Sequence, residues 1–562
     1  MSLLQESASP FRRIHRRAAK HLRRFTTGLE SNRLRNEIGR LVNTVSDLAA
    51  KKASAVESQM FSKLLARYMA GPGEDLDWGK VKSPTSDQIV PYDRLPQAID
   101  EVALLKQLAV LNVNGSLGTS VGMQGARSAL DVKNDFTFLD LIVQQIAHVN
   151  ANCGVDLPLL LMTSFNTHED TLRKIQKYDS KQVRITPFMQ SKYPTIMKDS
   201  LLPCPEREKD DEGAWYAPGH GDLYTALYHS GLLDRLLKDG KHYLFVSNSD
   251  NLGSVVDSKI LQHMSDTKVE FLMEVTDKTN ANINGGTLID YDGTIRLLEI
   301  AQVPSEHLEE VKSARKFRFA NTNNLWINLR ALKKILDDGG IELDIIVNHK
   351  VMDDGRSVIQ LETAAGSAIR HFSNTGAINV PRSRFIPVKN CSDLLLIKSD
   401  IYLMENGRLV LNEDRMFGTI PVIELDDHFK EIRDFRSRFK SIPSIIDLDH
   451  LTVSGNVYFG RDVTLRGTVI IVAVEGQRID IPDGPCLRQS DYDGAITSML
   501  TSLPLSCFRL SISQYCILND FVSNLTYQRI NNIPFSPSLP AMREIYVPKA
   551  INYQRQYDPK FK

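Results

Sequence analysis

Residues Leu111–Ser128 read LNVNGSLGTSVGMQGARS, and this stretch decides the fold. It continues the apolar run 108–111, whose composition predicts a buried strand. Glycines let backbone amides converge on an anion, and the cation Arg127 stands where a bound phosphate would need neutralising. The stretch therefore predicts a strand that leads into a phosphate-binding loop. The loop contains the glycines Gly115, Gly118, Gly122 and Gly125.

The loop does not follow the two most common phosphate-binding patterns. G-x-x-x-x-G-K-[ST] is absent, and G-x-G-x-x-G does not occur with its spacing. Considered alone, the segment is explained equally well by a strand followed by a flexible surface loop. Its order nevertheless resembles the signature of the sugar-nucleotide pyrophosphorylases, L-x-G-G-x-G-T-x-M-G followed by P-K-S.

Composition excludes several classes of protein. The 562 residues include 68 Lys and Arg and 68 Asp and Glu, so no net charge draws the chain to nucleic acid or to an anionic membrane. The six cysteines form no C-x-x-C pair, which favours free thiols in a reducing compartment. The apolar runs are too short to span a bilayer. We expect a cytoplasmic protein with no nucleic-acid and no membrane partner.

The basic N-terminus leaves a second location open. Residues 11–25 contain arginines and a lysine but no acidic residue, as mitochondrial transit peptides do. A disordered basic tail or a solvent-facing helix is the favoured interpretation.

Alternating patterns predict an α/β fold. Strand-like runs at 157–162, 242–247 and 269–275 are separated by amphipathic segments such as 138–149, and helical periodicity covers 32–68. From His450 to Ile481 aliphatic residues alternate and glycines recur, which predicts stacked turns of a β-helix, with an antiparallel meander as the alternative. Composition changes again from Asp491, without a clear period.

An ordered series of motifs resembles the eukaryotic UTP–glucose-1-phosphate uridylyltransferase (UDP-glucose pyrophosphorylase) family from about Ser58 to Cys486. The motifs are DLDWGKV (75–81), FLDL-x-VQQI (138–146), MTSFNTHEDT (162–171), PFMQSKYP (187–194), AWYAPGHGDLY (214–224), FVSNSDNLG (245–253), GGTL (285–288), EIAQVP (299–304), FANTNNLW (319–326), NVPRSRFIPVK (379–389) and DHLTVSG (449–455).

The resemblance implies a Rossmann-like nucleotidyltransferase core with a mixed, mostly parallel sheet and a C-terminal left-handed parallel β-helix. The expected parts are a basic extension (1–55), an N-terminal helical appendage (56–105), the catalytic core (106–390), a linker with the β-helix (391–488) and a divergent tail (489–562). It also implies reversible uridylyl transfer from UTP to glucose 1-phosphate, with Mg²⁺, and a homo-oligomer joined through the β-helix.

The resemblance assigns the reacting centre to a few residues. Lys389, after the strand-like run 385–388, would be the phosphate-binding catalytic lysine, and Arg127 would be the second catalytic cation. Asp250, just past the predicted strand 243–246, would hold the Mg²⁺ and contact substrate, and Asn248 would also contact substrate. A carboxylate at the end of a strand suits Mg²⁺, which takes few protein oxygens. An Asx turn that caps the strand is the alternative for Asp250.

The remaining assignments concern the base and the sugar. Gln190 would read the uracil edge, Gly219 would bring the backbone against the nucleotide, and His220 would donate to a phosphate oxygen. Glu299 and Asn324 would contact glucose hydroxyls. The glycine loop would bind the nucleotide through Val113, Asn114, Gly115 and Ser116.

Three residues of the loop depart from the family pattern. Ser116 stands for a glycine and is expected to need positive φ, Ala126 stands for a proline and is expected to loosen the loop, and Arg127 stands for a lysine. An inactive paralogue that binds nucleotide or joins oligomers as a regulatory partner is therefore the alternative function. A third hypothesis is a different sugar, such as N-acetylglucosamine 1-phosphate.

Overall fold

The computed structural model describes residues 55–488, apart from gaps at 71–75, 86–87, 179–182, 200, 202–203, 205–213, 280–284, 353, 417 and 485. The expected basic extension up to residue 54 and the divergent tail from 489 lie outside the described residues. So does most of the helical periodicity at 32–68, of which the part from Ala55 forms a helix.

Strands and helices alternate along the chain. The strands are β1 (Val81–Lys82), β2 (Ile89–Pro91), β3 (Leu108–Asn114), β4 (Asp131–Lys133), β5 (Phe136–Thr137), β6 (Leu159–Thr163), β7 (Ile185–Met189), β8 (Tyr193–Pro194), β9 (Ile196–Met197), β10 (Trp215–Tyr216), β11 (Tyr243–Asn248), β12 (Phe271–Asp277), β13 (Thr287–Tyr291), β14 (Thr294–Leu298), β15 (Phe319–Asn328), β16 (Ile345–Val351), β17 (Ser357–Thr363), β18 (Thr375–Asn379), β19 (Tyr402–Glu405), β20 (Arg408–Leu411), β21 (Val422–Leu425), β22 (Leu448–Ser454), β23 (Asn456–Phe459), β24 (Thr464–Val472), β25 (Arg478–Ile481) and β26 (Cys486–Arg488). The α-helices are α1 (Ala55–Met69), α2 (Glu101–Lys106), α3 (Phe138–Cys153), α4 (His168–Ile175), α5 (Leu223–His229), α6 (Leu232–Lys238), α7 (Ser258–Thr267), α8 (Leu308–Lys312), α9 (Leu329–Asp337), α10 (Cys391–Lys398) and α11 (Ile432–Arg438).

One large sheet organises the chain. Its strands lie in the order β2-β18-β12-β15-β11-β3-β6-β7, and β1, β13 and β14 extend it near β15. β15 is antiparallel to both of its neighbours in this order, and the other pairs along it are parallel. The prediction of an α/β fold with a mixed, mostly parallel sheet is confirmed.

Helices cover both faces of the sheet because its strands are apolar on both sides. In β3, Leu108 and Val110 pack with α2, α3 and α7, whereas Ala109 and Leu111 pack with α5, α6 and α9. This period of two places the core on each side of the strand, as in other doubly covered parallel sheets. The carboxyl ends of the parallel strands consequently meet at one edge, where polar loops follow.

Two boundaries differ from the sequence predictions. The run 385–388 is not a strand, because it pairs with its neighbour only through the single bridge between Asn251 and Pro387. The segment 56–105, expected as a helical appendage, also contributes β2 to the edge of the central sheet. The predicted strands at 108–111, 157–162, 242–247 and 269–275 and the helix from Phe138 are present, with shifted ends.

Near the C-terminus, parallel strands stack in successive layers. One column pairs Ser444 with Thr464 and Thr464 with Cys486. A second column pairs Phe439 with Phe459 and Phe459 with Ile481. Within 55–488, outside the gaps, no helix is long and apolar enough to cross a membrane.

Candidate functional site

Polar side chains follow the carboxyl ends of neighbouring strands. β3 ends at Asn114, β11 ends at Asn248, and Gln190 comes directly after β7. Asn248 lies beside Val113 in the parallel pairing of β11 with β3. The sheet thus brings residues that are far apart in the sequence together at one edge.

Asp250 and Lys389 form the centre of this edge. Lys389 Nζ donates to Asp250 Oδ2 at 2.8 Å, and Arg127 Nη1 lies 3.7 Å from the same oxygen. The Asp250 side chain is 10% exposed and the Lys389 side chain 56%. The second carboxylate oxygen, Oδ1, is buried and accepts no hydrogen bond from the described residues. A buried, unsatisfied carboxylate oxygen is costly, so a ligand for it is expected.

Arg127 is not placed as a free cation facing a bound phosphate. Its Nη2 donates to the carbonyls of Val388 and Lys389, each at 2.8 Å, and the residue is 8% exposed. The guanidinium therefore fixes the backbone that carries Lys389. The expected direct contact with phosphate stays a prediction, and the structure adds a supporting role in which the guanidinium holds the carbonyls of Val388 and Lys389.

Hydroxyl groups from the segment after β6 hold the glycine loop. Ser164 Oγ donates to the carbonyl of Gly115 at 2.8 Å, and Thr167 Oγ1 donates to that of Asn114 at 2.9 Å. Asn114 Nδ2 donates to Thr171 Oγ1 at 3.0 Å. Hydrogen bonds from the motif MTSFNTHEDT therefore hold the start of the glycine loop in place.

The positive φ expected at Ser116 is wrong, whereas the looser loop expected from Ala126 stays a prediction. Ser116 is exposed and is not among the described residues with positive φ. Ala126 has φ −56° and ψ 131°, which a proline would also adopt, and it is 2% exposed. Arg127 N also donates to the carbonyl of Ser116 at 3.0 Å. The loop is held without the glycine and without the proline.

Gln190 lies directly against the glycine loop. A Cβ on Gly115 would overlap Gln190 Nε2, so a side chain at position 115 would displace this amide. Gln190 is 7% exposed, and its Oε1 is buried without a hydrogen-bond partner among the described residues. An amide with an unused acceptor beside a glycine suits recognition of a donor on a flat ring.

The turn at 219–222 is fixed by the backbone of β17. Gly219 has φ +83°, and a Cβ there would lie 2.6 Å from the carbonyl oxygen of Thr363. The requirement for glycine thus comes from packing inside the protein. The Ala365 amide donates to His220 Nδ1 at 3.0 Å, so the neutral ring carries its proton on Nε2. Burial, reinforced by Lys389 and opposed by Asp250, lowers the pKa of His220 to about 4.

Glu299 lies at the end of the β13–β14 hairpin. Its carboxylate packs against Gly286, where a Cβ would lie 2.8 Å from Oε2. The side chain also accepts a hydrogen bond from the backbone of Gln302. Burial raises the pKa of Glu299. It thus lies beside the GGTL motif that precedes β13.

Asn324 does not occupy an open surface. It is fully buried, its Nδ2 donates to Glu274 at 3.0 Å, and its Oδ1 accepts from Ser254 Oγ at 2.6 Å. The predicted contact with glucose is therefore corrected to an internal role. Of the three asparagines at 321–324, Asn323 is the least buried and has φ +59°.

Sequence reasoning missed the network that holds Asp250 against Lys389. The Ile386 amide donates to Asn251 Oδ1 at 2.8 Å, and Asn251 Nδ2 donates to the carbonyl of Arg384 at 3.2 Å. Arg384 in turn donates to Glu274 Oε1 at 2.6 Å and Oε2 at 2.8 Å. The available signal was an acidic residue, Glu274, inside an apolar strand, because a buried charge requires a partner.

A resident metal would find few protein ligands. Across the residues that the structure describes, no group of three or more His, Cys, Asp and Glu side chains could hold an ion. At this edge of the sheet, Asp250 offers a buried carboxylate oxygen without a partner among the described residues, which fits Mg²⁺ because that ion commonly completes its shell with phosphate oxygens and water.

Comparison with known proteins agrees with this geometry. Residues 58–466 match the model of a family described as UTP–glucose-1-phosphate uridylyltransferase. The protein of that name from Saccharomyces cerevisiae is 50% identical over 469 residues, which are 82% of this chain and 94% of the relative. The one from Hordeum vulgare is 49% identical over 459 residues, 81% of this chain and 97% of the relative.

Solved structures give the same result. A mutant UDP-glucose pyrophosphorylase from Leishmania major, in complex with UDP-glucose, has a TM-score of 0.74 and 34% identity, covering 80% of this chain and 98% of its own. A UDP-glucose phosphorylase from Trypanosoma brucei has a TM-score of 0.73 and 37% identity, with the same coverage.

Proposed function

The chain belongs to the UTP–glucose-1-phosphate uridylyltransferase family, and we propose that it transfers a uridylyl group from UTP to glucose 1-phosphate, giving UDP-glucose and pyrophosphate. The observation that carries the proposal is the pairing of Lys389 with Asp250 at the carboxyl edge of the sheet, 2.8 Å apart. It is the arrangement that a reaction between two polyanions requires.

Charge neutralisation accounts for the reacting centre. The phosphate of the sugar attacks the α-phosphorus of UTP, and pyrophosphate leaves from the opposite side. Both reactants are anionic, so positioning and positive charge supply most of the catalysis without a covalent intermediate. Lys389 supplies a mobile ammonium on an exposed stem, and Arg127 holds the backbone beneath it.

Asp250 is the residue proposed to hold Mg²⁺. Its buried Oδ1 has no partner among the described residues, which supports a ligand there. When bound, Mg²⁺ neutralises phosphate charge and lowers the repulsion between the substrates. Asp250 also contacts Lys389, so the same carboxylate sets the position of the ammonium before substrate binds.

The base and phosphates are assigned to neutral side chains. Gln190 offers its amide to the uracil edge, and Val113, Asn114, Gly115 and Ser116 form the loop beside it. His220 is neutral near pH 7, because its pKa is lowered to about 4, and it donates through Nε2 to a phosphate oxygen. Asn248, the last residue of β11, is proposed to contact the same substrate.

Glu299 is proposed to accept a hydrogen bond from a glucose hydroxyl. Asn324 contributes indirectly, by holding Glu274 and Ser254 behind the Asp250 loop. The glucose specificity over N-acetylglucosamine rests on the motifs shared with the family and on its members' names.

The C-terminal layers are proposed to be coils of a left-handed parallel β-helix that joins copies of the chain. The two columns of parallel pairs, each three layers deep, support this proposal. The balanced charge and the free thiols of Cys153, Cys204, Cys391 and Cys486 support a cytoplasmic location. Light scattering of the purified full chain tests the assembly: a monomer at all concentrations contradicts it.

Product identification tests the function. Purified protein is incubated with UTP, Mg²⁺ and either glucose 1-phosphate or N-acetylglucosamine 1-phosphate, and products are followed by ³¹P NMR. We expect UDP-glucose and pyrophosphate in equal amounts, with glucose 1-phosphate preferred. Binding of UTP with no diphosphate-sugar product from either substrate would support the non-catalytic alternative.

A further inference from the structure

Two carboxylates from distant parts of the chain hold the backbone just after Gln190. The Ser191 amide donates to Asp222 Oδ2 at 2.6 Å, and Ser191 Oγ donates to Asp222 Oδ1 at 3.1 Å. The next amide, of Lys192, donates to Glu57 Oε1 at 3.1 Å. We call Asp222 and Glu57 the carboxylate clamp. Neither residue belongs to the reacting centre described above.

Asp222 is anchored to a rigid part of the fold. It is 6% exposed and ends the turn whose Gly219 packs on Thr363. The hydrogen bond from the Ala365 amide to His220 fixes the same turn a second time. A carboxylate held in this way cannot follow a shift of its partner, so Ser191 is fixed relative to β17.

Glu57 is anchored by helix α1. Phe61 and Leu65 of α1 are fully buried and pack with Tyr193 and Tyr216, and the rings of Phe61 and Tyr193 are 5.4 Å apart. The helix therefore lies directly behind the segment 191–193. The second arm of the clamp thus connects the N-terminal helix to the base-reading residue.

Fixing this backbone fixes the point from which the Gln190 side chain extends. The backbone N–H of Gln190 donates to the carbonyl of Thr163 at 2.8 Å, and the Gln190 side chain lies against Gly115. Uracil presents an N–H donor flanked by carbonyl acceptors, whereas cytosine presents an acceptor beside an amino donor. An amide held in one orientation distinguishes the two edges, but a mobile amide can turn over and fit either.

We infer that Asp222 and Glu57 are positioning residues that hold Gln190 for uracil and thereby select uridine over cytidine nucleotides. The inference rests on the proposed function, because it deepens the role of Gln190. Burial raises the pKa of Asp222 to about 7.

The test measures base selectivity in Asp222→Ala, Asp222→Asn and Glu57→Ala. The readouts are the ratio of kcat/KM for UTP and CTP, the KM for glucose 1-phosphate, and Tm. Loss of a buried hydrogen-bond acceptor leaves its donors unsatisfied and typically changes an equilibrium about tenfold or more. We therefore expect Asp222→Ala and Glu57→Ala to lower the UTP/CTP ratio about tenfold, with the KM for glucose 1-phosphate within about twofold. Asp222→Asn should restore most of the ratio, since its amide can bond both Ser191 groups.

Asp426 provides a matched control. Its carboxylate accepts from the Gly455 amide at 2.6 Å and from Ser454 Oγ at 2.9 Å, in the stacked C-terminal strands. Asp426→Ala should lower Tm to a similar extent but leave the UTP/CTP ratio unchanged. A parallel fall of the ratio in this variant would show a general structural effect and overturn the inference.

Two further outcomes are decisive. If Asp222→Ala does not fold, the folded Glu57→Ala protein provides the test. An unchanged UTP/CTP ratio of kcat/KM in this variant overturns the inference, and a fall of about tenfold supports it. If the wild-type protein shows no turnover, the proposed function fails by itself, and the dissociation constants of UMP and CMP then replace the kinetic ratio. If the clamp variants lose the preference for UMP over CMP by about the same factor expected for the kinetic ratio, the inference is supported. If they keep that preference, the inference is overturned.

Discussion

Lys389 Nζ and Asp250 Oδ2 are 2.8 Å apart, although 139 positions separate the two residues in the sequence. The bridge between Asn251 and Pro387 and the hydrogen bond from the Val388 amide to the Asp250 carbonyl at 3.0 Å bring their segments together. The pair is therefore a product of the backbone arrangement, and it places a mobile cation beside a carboxylate with one unused oxygen.

Replacing Lys389 by alanine should lower kcat by about 10²–10³, because one group that stabilises developing charge is lost. The measurement is steady-state pyrophosphate release at saturating substrates. Lys398→Ala is the control, since Lys398 Nζ lies 2.7 Å from Asp131 Oδ2 in a similar pair that is not part of the reacting centre. Near-wild-type kcat in Lys389→Ala would rule out the assigned role.

Arg127→Lys should lower kcat, although it restores the family residue. The guanidinium donates to two carbonyls at 2.8 Å, and the shorter reach of an ammonium leaves part of this arrangement unsatisfied. We expect a loss of about tenfold, consistent with one or two charged hydrogen bonds. A rise in kcat, particularly together with Ser116→Gly and Ala126→Pro, would contradict the supporting role of Arg127 and favour an impaired loop.

Asp250→Asn should raise the Mg²⁺ concentration needed for half-maximal activity by more than about tenfold, because a neutral amide is a weaker ligand for a hard cation. Binding of Mn²⁺, followed by electron paramagnetic resonance, gives an independent readout. The matched control is Asp131→Asn, whose carboxylate also pairs with one lysine and leaves Oδ1 buried without a described partner. Unaltered metal dependence in Asp250→Asn would remove it as the ligand.

Gly219→Ala should be strongly destabilising, because positive φ and a close carbonyl act together. Gly154→Ala isolates the first effect: Gly154 has φ +60°, and nothing lies within 4 Å of its Cβ position. We expect about 1 kcal/mol of lost stability for Gly154→Ala and at least twice that for Gly219→Ala, measured by urea unfolding. Equal losses would show that Thr363 moves aside easily.

The raised pKa of Asp222 should make the free energy of unfolding depend on pH. Burial raises its pKa from 3.8 to about 7, so the native protein prefers the protonated form. This stabilising contribution is complete below about pH 4 and disappears as pH rises through about 7. Asp222→Asn removes the titration, so the stability of the wild type relative to this variant should fall between about pH 4.5 and about pH 7.5 by about 2–4 kcal/mol. A constant difference over that range would contradict the raised pKa.

The sequence predicted the parts of the site that are carried by contiguous motifs. An apolar run predicts β3, and the position of Asp250 just past the predicted strand 243–246 agrees with its place at the edge of the sheet. A continuous apolar run is sufficient here because a strand that is buried on both faces needs apolar residues at successive positions.

Side-chain contacts between residues far apart in the chain could not be predicted from the sequence. Asn324 looked like a sugar contact because it stands in a polar motif, yet it satisfies Glu274, which lies on another strand. Arg127 looked like a phosphate ligand because it is a cation after glycines, yet its guanidinium reaches the carbonyls of 388–389. Residue type indicates which partners are possible, but the fold decides which are adjacent.

We propose that the altered glycine loop still supports catalysis, and the initial rate of pyrophosphate release by the purified full chain with saturating UTP, glucose 1-phosphate and Mg²⁺ measures this. We expect about 1–10³ turnovers per second, the usual range for enzymes, and none without the sugar phosphate. Tight UTP binding with no release above background would contradict it.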